Sequence, residues 1–261
     1  MKKLNQRLFV LSCSALLILC YVNSGCNKDE KQKQVTENKT DSIKSENLTN
    51  SSVDSPGKQL FYMKSNQNNI ACADCHSDGT NTGKGLTKYF SGIAGADKRV
   101  SAYHGRFTGE EVAKNAGGAT VCWESYLKMK TPMTEEQIKS LNDFYSSLAT
   151  NNSPSEVKYE TISLPVKDKA KLKTEQNAVM KLTGDASKGE TTFNNACGFC
   201  HGQNSTIKKI PDLFDEFEGN VKSITYNVRF GDGAMPFFKN SVLSEQDIAD
   251  ISAYIMKKNG K

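Results

Sequence analysis

Histidine and tryptophan are scarce in this chain of 261 residues, which contains three His and one Trp. The eight Cys are too few and too locally spaced for a disulfide-dense miniprotein. Hydrophobic residues make up only 37% of the chain and the mean hydropathy is -0.56, which excludes a polytopic membrane protein. The length allows one large domain or two domains of about 100 residues each.

The N-terminal residues 1–25 have the pattern of a signal peptide. Lys2, Lys3 and Arg7 form a basic start, and residues 8–22 form the apolar stretch that follows. Such a stretch would rise about 22 Å as a helix, which is short of the roughly 30 Å hydrocarbon core of a bilayer. We therefore predict an export signal in this segment, not a membrane span.

Cys26 follows the small residues Ser24 and Gly25, and the sequence then turns abruptly polar. This arrangement resembles the lipobox of bacterial lipoproteins, which implies a lipid anchor on Cys26; plain signal cleavage nearby is the alternative. In both cases we expect an exported protein on the periplasmic or cell-surface side of a bacterial membrane. Removing residues 1–25 lowers the formal charge from +5 to +2, because three positive charges and no negative ones are lost. That balance gives no support to nucleic-acid binding.

Residues 26–55 are almost free of apolar side chains, so we predict a flexible tether there. Two units follow, at 56–149 and 183–261, and a linker at 150–182 with a short strand at 157–164 joins them. Each unit carries a G-x-x-x-F pattern, starting at Gly57 and Gly189, then a Cys-x-x-Cys-His motif, then an amphipathic segment. The fold class predicted is all-α, with two tandem small helical domains.

A capping signal near the end of each unit predicts where its last helix begins. Thr134 has Gln137 three residues on, which is a capping-box signal, and Ser244 has Asp247 in the same relation, which places negative charge in the first turn. Apolar residues then recur at helical spacing in both segments. We therefore predict a C-terminal helix in each unit.

The chemistry lies in the two motifs, CADCH at 72–76 and CGFCH at 197–201. Two thiols on one helical turn can each form a thioether to one of the two vinyl groups of a haem, and the adjacent His can ligate the iron. A structural zinc site would need four ligands, whereas each motif supplies three. A thioredoxin-like dithiol would need a βαβ setting. The motifs therefore predict two covalently bound haem c groups, attached at Cys72, Cys75, Cys197 and Cys200, with His76 and His201 as iron ligands.

The second unit, over residues 184–257, resembles a class I bacterial c-type cytochrome. The pieces that carry the resemblance are GDASKGETTFNNACGFCH, NVRFGDGAMPFF and LSEQDIADISAYI. The resemblance implies that Met235, followed by Pro236, is the second iron ligand. Arg229 near that loop is either a partner for a haem propionate or a solvated surface residue.

The first unit, at 57–149, resembles the same family only at its ends, in GKQLF, CADCH and TEEQIKSLNDFYSSL. It has no Met-Pro pair, so its second ligand stays open among Cys122, Met129, His104 and an empty position. Met133 stands where Leu243 stands in the second unit and is expected to pack as a hydrophobic staple. The lone Cys122 before an amphipathic helix also resembles the haem subunits of bacterial thiosulfate-oxidising systems.

Two functions follow. The first is an electron carrier, in which the iron changes oxidation state and redox proteins are the partners. The second is a haem enzyme, in which the first haem acts in thiosulfate oxidation with Cys122 as ligand, or in peroxide chemistry, while the second haem relays electrons. A Met as the first haem's second ligand would favour the carrier, and a Cys would favour sulfur chemistry.

Overall fold

The computed structural model describes residues 54–103, 105–157, 168–214 and 219–260. The predicted signal peptide, Cys26, nearly all of the tether, His104 and all but the first residue of the strand predicted at 157–164 lie outside them. Within the described ranges, no helix is both long and apolar enough to cross a membrane. The described residues belong to a single compact unit of the chain. We refer to residues 54–157 as the N-terminal half and to residues 168–260 as the C-terminal half.

The described residues are mainly helical, which confirms the all-α prediction. Two short strands, β1 (Ser101–Ala102) and β2 (Phe107–Thr108), pair antiparallel with Ser101 opposite Thr108. Short 3-10 helices cover Gly85–Lys88, Ala96–Lys98 and Ala116–Gly118. The α-helices are α1 (Pro56–Tyr62), α2 (Cys72–Cys75), α3 (Glu110–Lys114), α4 (Ala119–Ser125), α5 (Glu135–Ser147), α6 (Lys169–Val179), α7 (Ala186–Ala196), α8 (Gly198–His201), α9 (Val221–Phe230) and α10 (Glu245–Lys258).

In the N-terminal half, α1 packs against α5. The contact is close because Gly57 has no Cβ: a Cβ there would lie 1.9 Å from the carbonyl oxygen of Ser140. Phe61, one turn later, is fully buried beside Leu141. The capping box predicted at Thr134 is present, since its hydroxyl accepts a hydrogen bond from the N–H of Gln137 at 3.2 Å.

The C-terminal half repeats this arrangement with α7 and α10. A Cβ on Gly189 would lie 1.9 Å from the carbonyl oxygen of Asp250, so the two helices also cross at a glycine. Phe193 is buried one turn later. The Ser244 hydroxyl caps α10 by accepting from the N–H of Asp247 at 3.1 Å. Both C-terminal helices predicted from the sequence are therefore confirmed.

Helix α6 lies where the sequence indicated an irregular linker. Asp168 caps it by accepting from the backbone N–H of Ala170 at 3.0 Å, and Leu172 and Val179 bury its inner face. Most of its other residues are Lys, Glu, Gln or Asn, so too few apolar positions repeat to reveal the helix in the sequence. Its Glu175 forms an ion pair with Arg229 of α9, with Oε2 and Nε 2.7 Å apart.

The loop that follows each motif packs on the other half. Leu86 and Phe90, from the N-terminal half, belong to the apolar cluster formed by α7, α9 and α10. Ile207, from the C-terminal half, packs with the residues Ile70, Trp123 and Leu127 of the N-terminal half. The two halves therefore share their apolar cores.

Candidate cofactor-binding site

A cavity of about 630 Å³ is lined by residues of both halves. Both thiols and the imidazole of each motif line it, and so do two of the residues predicted as second ligands. These are Cys72, Cys75, His76, Cys122, Cys197, Cys200, His201 and Met235. The fold therefore gathers the two motifs, more than a hundred residues apart in sequence, around one space.

The first motif occupies the single turn of α2. The N–H of His76 donates to the carbonyl oxygen of Cys72 at 3.0 Å, which sets the imidazole at the end of the turn that carries both thiols. The His76 Nδ1 lies 2.8 Å from the carbonyl oxygen of Ser91. A carbonyl only accepts, so Nδ1 carries the proton and Nε2 keeps a free lone pair. Burial lowers the pKa of His76, which keeps the ring neutral at pH 7.

The second motif is built in the same way at the junction of α7 and α8. The N–H of His201 donates to the carbonyl oxygen of Cys197 at 2.9 Å. Its Nδ1 lies 3.3 Å from the carbonyl oxygen of Pro211, which again leaves Nε2 with a lone pair. Burial lowers the pKa of His201 as well. Each motif thus presents one neutral imidazole whose tautomer is set by a backbone carbonyl.

All five cysteines among the described residues are free thiols. Burial raises the pKa of Cys72 and Cys197 to about 12 and that of Cys200 to about 11. Burial also raises the pKa of Cys75, and the charge that Cys200 would carry raises it further. The motif thiols are therefore protonated at neutral pH.

Met235 lies on a tight loop after α9. Its N–H donates to the carbonyl oxygen of Asp232 at 2.7 Å, and the N–H of Phe238 donates to that of Val228 at 2.7 Å. Gly231 adopts φ 63°, and a Cβ on it would lie 2.5 Å from the carbonyl oxygen of Met235. The loop therefore requires glycine at that position, and it holds Met235 half-buried at the cavity wall.

The residues predicted as possible second iron ligands in the first unit differ in whether they line the cavity. Cys122 lies on α4, half-buried, and lines the cavity, and burial raises its pKa to about 12. Met129 is not among the lining residues; its Sδ lies 3.5 Å from the hydroxyl of Ser65, which donates its proton to the carbonyl oxygen of Leu127 at 2.6 Å. Met133 packs against the cluster around Phe61 and Leu141, as its hydrophobic-staple interpretation requires.

Two arginines are buried, which the sequence did not predict. Arg229 is buried and binds Glu175 and, through Nη1 at 2.9 Å, the carbonyl oxygen of Phe238, so it is neither solvated nor among the cavity-lining residues. Arg99, which the sequence analysis missed, is 7% exposed and lines the cavity. Its Nη2 donates to the carbonyl oxygen of Gly92 at 2.5 Å. No local pattern marks Arg99, because its burial depends on contacts between loops.

The lining fits a haem on its chemistry. Each motif offers two free thiols on one turn and a neutral imidazole with an available lone pair, and a thioether or thiol lines the same cavity. Many other lining residues are apolar, including Leu86, Phe90, Phe193, Leu243, Ile251 and Ile255. Within the described ranges, no group of three or more His, Cys, Asp or Glu side chains is arranged to hold a bare metal ion.

Each match with known proteins covers about a third of the chain or less. The family model for cytochrome c oxidase, cbb3-type, subunit III matches residues 184–255. Cytochrome c6 of Petalonia fascia is 40% identical over 85 residues, which are 30% of this chain and 96% of that protein. Cytochrome c6 of Diacronema lutheri is 31% identical over 84 residues, 30% of this chain and 100% of that protein. Cytochrome c6 of Synechocystis sp. is 33% identical over 86 residues, 31% of this chain and 71% of that protein. No solved structure matches the chain.

Proposed function

The chain belongs to the cytochrome c family, and from that premise we propose that it is an exported electron carrier with two covalently bound haem c groups. The observation that carries the proposal is the cavity onto which both Cys-x-x-Cys-His motifs open. The family implies covalent haem and electron transfer by a c-type cytochrome. The second haem and the domain boundaries at 56–149 and 183–261 are proposals of ours.

In this proposal Cys72 and Cys75 bind one haem by thioether bonds, and Cys197 and Cys200 bind the other. The cofactor supplies an iron that cycles between the ferrous and ferric states. His76 and His201 offer Nε2 to the iron, and their Nδ1–H bonds to backbone carbonyls fix the ring orientation and raise the basicity of Nε2.

Met235 serves as the second ligand on the C-terminal side, where its loop is held by backbone hydrogen bonds and by Arg229. A thioether opposite an imidazole raises the reduction potential relative to two nitrogen ligands. The apolar walls act in the same direction, because a dry surrounding disfavours the additional positive charge of the ferric state.

For the first haem we propose Cys122 as second ligand, with Met129 as the alternative. The position of Cys122 on the cavity wall supports this choice, whereas Met129 does not line the cavity. Bound to iron, the Cys122 thiol would lose its proton despite its raised pKa, because a metal ion stabilises the thiolate. The position of Cys122 on the cavity wall also favours a second function. This is a haem enzyme that oxidises thiosulfate or related sulfur compounds at the first haem.

Redox proteins are the proposed partners, and a lipid on Cys26 is the proposed membrane anchor. The carrier would then exchange electrons with membrane-bound and exported proteins on the periplasmic or cell-surface side of a bacterial membrane. Metabolic labelling with a fatty acid, compared between the wild type and Cys26→Ser, tests the anchor. Equal labelling of the two proteins contradicts it.

Haem content tests the proposed function. Expressed with a haem-attachment system, the purified protein is expected to carry two haems per chain in a haem-specific absorbance assay and by mass. Cys72→Ser combined with Cys75→Ser, or Cys197→Ser combined with Cys200→Ser, removes one haem each. Cys122→Ser is the matched control, since it replaces a cavity-lining thiol but retains both haems. One haem per wild-type chain would refute the two-haem proposal.

Ligand assignment is tested by spectroscopy of the ferric protein. Met235→Ala is expected to abolish the methionine-to-iron absorption at the red end of the spectrum, whereas Met129→Ala leaves it intact. Low-temperature paramagnetic resonance should show a thiolate-ligated species that disappears in Cys122→Ser. Loss of the red band in Met129→Ala and its survival in Met235→Ala would reverse the assignment.

A further inference from the structure

We propose that the two haems form one coupled pair: residues of each half complete the site of the other, so that an electron passes directly between the haems inside the chain. This inference rests on the proposed function, because it requires a haem at each motif. Two haems on separate domains could act independently, so direct exchange between them does not follow from their presence alone.

The first support is the continuity of the cavity. Cys75 and His76 of the first motif and Cys200 and His201 of the second line the same space of about 630 Å³. A flat cofactor attached at either motif therefore occupies part of one shared cavity. The fold itself therefore opens both attachment sites onto one space.

The second support is the loop after the first motif. Leu86 and Phe90 of this loop are buried in the cluster of the C-terminal half that also contains Phe193 and Phe238. The rings of Tyr89 and Phe238 meet edge to face, with centroids 5.8 Å apart. Side chains from the N-terminal half thus form part of the core around the second motif.

The third support is the reciprocal loop after the second motif. Ile207 is buried against Ile70 and Trp123 of the N-terminal half. The N–H of Lys208 donates to the carbonyl oxygen of Asn68 at 3.1 Å. The side-chain amide of Asn69 donates to the Thr206 hydroxyl at 2.9 Å. Apolar and polar contacts together therefore fix the two motifs relative to each other.

A line of aromatic contacts runs from His76 to the loop that carries Met235. The His76 ring lies edge-on to Phe90 at 5.7 Å between centroids, and Phe90 lies 6.5 Å from Phe238. Phe238 is in the same loop as Met235, three residues later. Phe90 is therefore the single ring between the proposed ligand His76 and the loop that carries the proposed ligand of the other haem.

Coupling has two consequences. In the exchange itself, a ferrous haem is oxidised by one electron and the neighbouring ferric haem is reduced by the same electron, with no other reactant. In addition, the charge change at one iron acts on the other through an apolar surrounding, where electrostatic interactions are weakly screened. Reduction of one haem should therefore lower the potential of the second.

The experiment compares the full-length wild type with its two single-haem variants, C72S/C75S and C197S/C200S, in redox titrations and paramagnetic resonance. We expect that the sum of the two variants does not reproduce the wild type, because the ferric signals broaden each other and the potentials move apart. If wild type with two haems equals that sum in both measurements, the coupling is refuted and the two-haem carrier stands. If the wild type carries one haem, the proposed function fails first, and the haem count reports this separately.

If a single-haem variant does not fold, the coupling can be tested on the wild type alone. In a half-reduced sample, the remaining ferric signal should be narrower than in the fully oxidised protein, because its paramagnetic neighbour is gone. An unchanged line width overturns the proposal.

Phe90→Leu adds a residue-level test: it should weaken the methionine-to-iron band of the second haem although Phe90 lies in the N-terminal half. Phe61→Leu, a control at another buried phenylalanine that packs within the N-terminal half, should leave that band unchanged. Equal effects of the two substitutions contradict the contact path.

Discussion

Replacing Gly189 by alanine measures how closely α7 and α10 must approach. The added Cβ would lie 1.9 Å from the carbonyl oxygen of Asp250, whereas real Cβ atoms essentially never approach within 3.0 Å, so the helices would have to separate by about 1 Å. The obstacle is backbone, and no side-chain rotation can relieve it. Phe193, fully buried one turn along, would lose packing as the helices separate.

Two effects of opposite sign decide the size of the change. Overpacking costs about 1–3 kcal/mol, and a backbone obstacle places this site at the upper end. Alanine inside a helix is about 1 kcal/mol more favourable than glycine. We therefore expect Gly189→Ala to lower the free energy of unfolding by about 2 kcal/mol.

Denaturant unfolding followed by circular dichroism, at matched haem content, measures this change. Lys188→Ala is the control, because Lys188 is exposed on the same helix and its replacement has no close contact to relieve. An unfolding free energy for Gly189→Ala equal to or above that of Lys188→Ala would refute the close-approach argument. Gly57→Ala should behave in the same way, since a Cβ there would lie 1.9 Å from the carbonyl oxygen of Ser140.

Three further substitutions test single contacts. Ser244→Ala removes the cap of α10 and should cost about 1 kcal/mol in urea unfolding; a cost near zero would mean that the cap adds nothing. Glu175→Ala leaves the guanidinium of Arg229, with its side chain 5% exposed, without its ion-pair partner, so thermal unfolding should report a loss of about 3 kcal/mol, with a smaller loss for Glu175→Gln. Trp123→Phe removes the hydrogen bond from Nε1 to the Thr131 carbonyl oxygen, 2.8 Å long, and should cost about 1 kcal/mol in guanidinium unfolding, whereas an unchanged midpoint would contradict this role.

The local features of the fold were predictable from the sequence. The helices α5 and α10 have apolar residues at helical spacing behind a capping residue, and both begin where Thr134 and Ser244 indicated. Gly57 and Gly189 marked the helix crossings without revealing the reason for them, because the close approach of two backbones is visible only in three dimensions. Helix α6 escaped prediction because its buried face consists of few side chains within a polar segment.

The site was predictable residue by residue but not in its arrangement. The motif cysteines and histidines were evident from their spacing, and family resemblance indicated Met235. The sequence could not decide between Cys122 and Met129, whereas the structure places only the first on the cavity wall. The burial of Arg99 and the crossing of Phe90 to the other half depend on contacts between distant segments, which local patterns do not encode.

The crossing of the loops has a consequence for how the protein is made. The N-terminal half leaves the ribosome first, and most of the apolar cluster that buries its Leu86 and Phe90 is absent until α7, α9 and α10 have been synthesised and exported. A chain that stops before residue 168 would expose this surface to solvent and to other chains. Synthesis from residue 168 onward would produce a core that lacks these two side chains. The C-terminal half therefore depends on two side chains made before it for a complete apolar core.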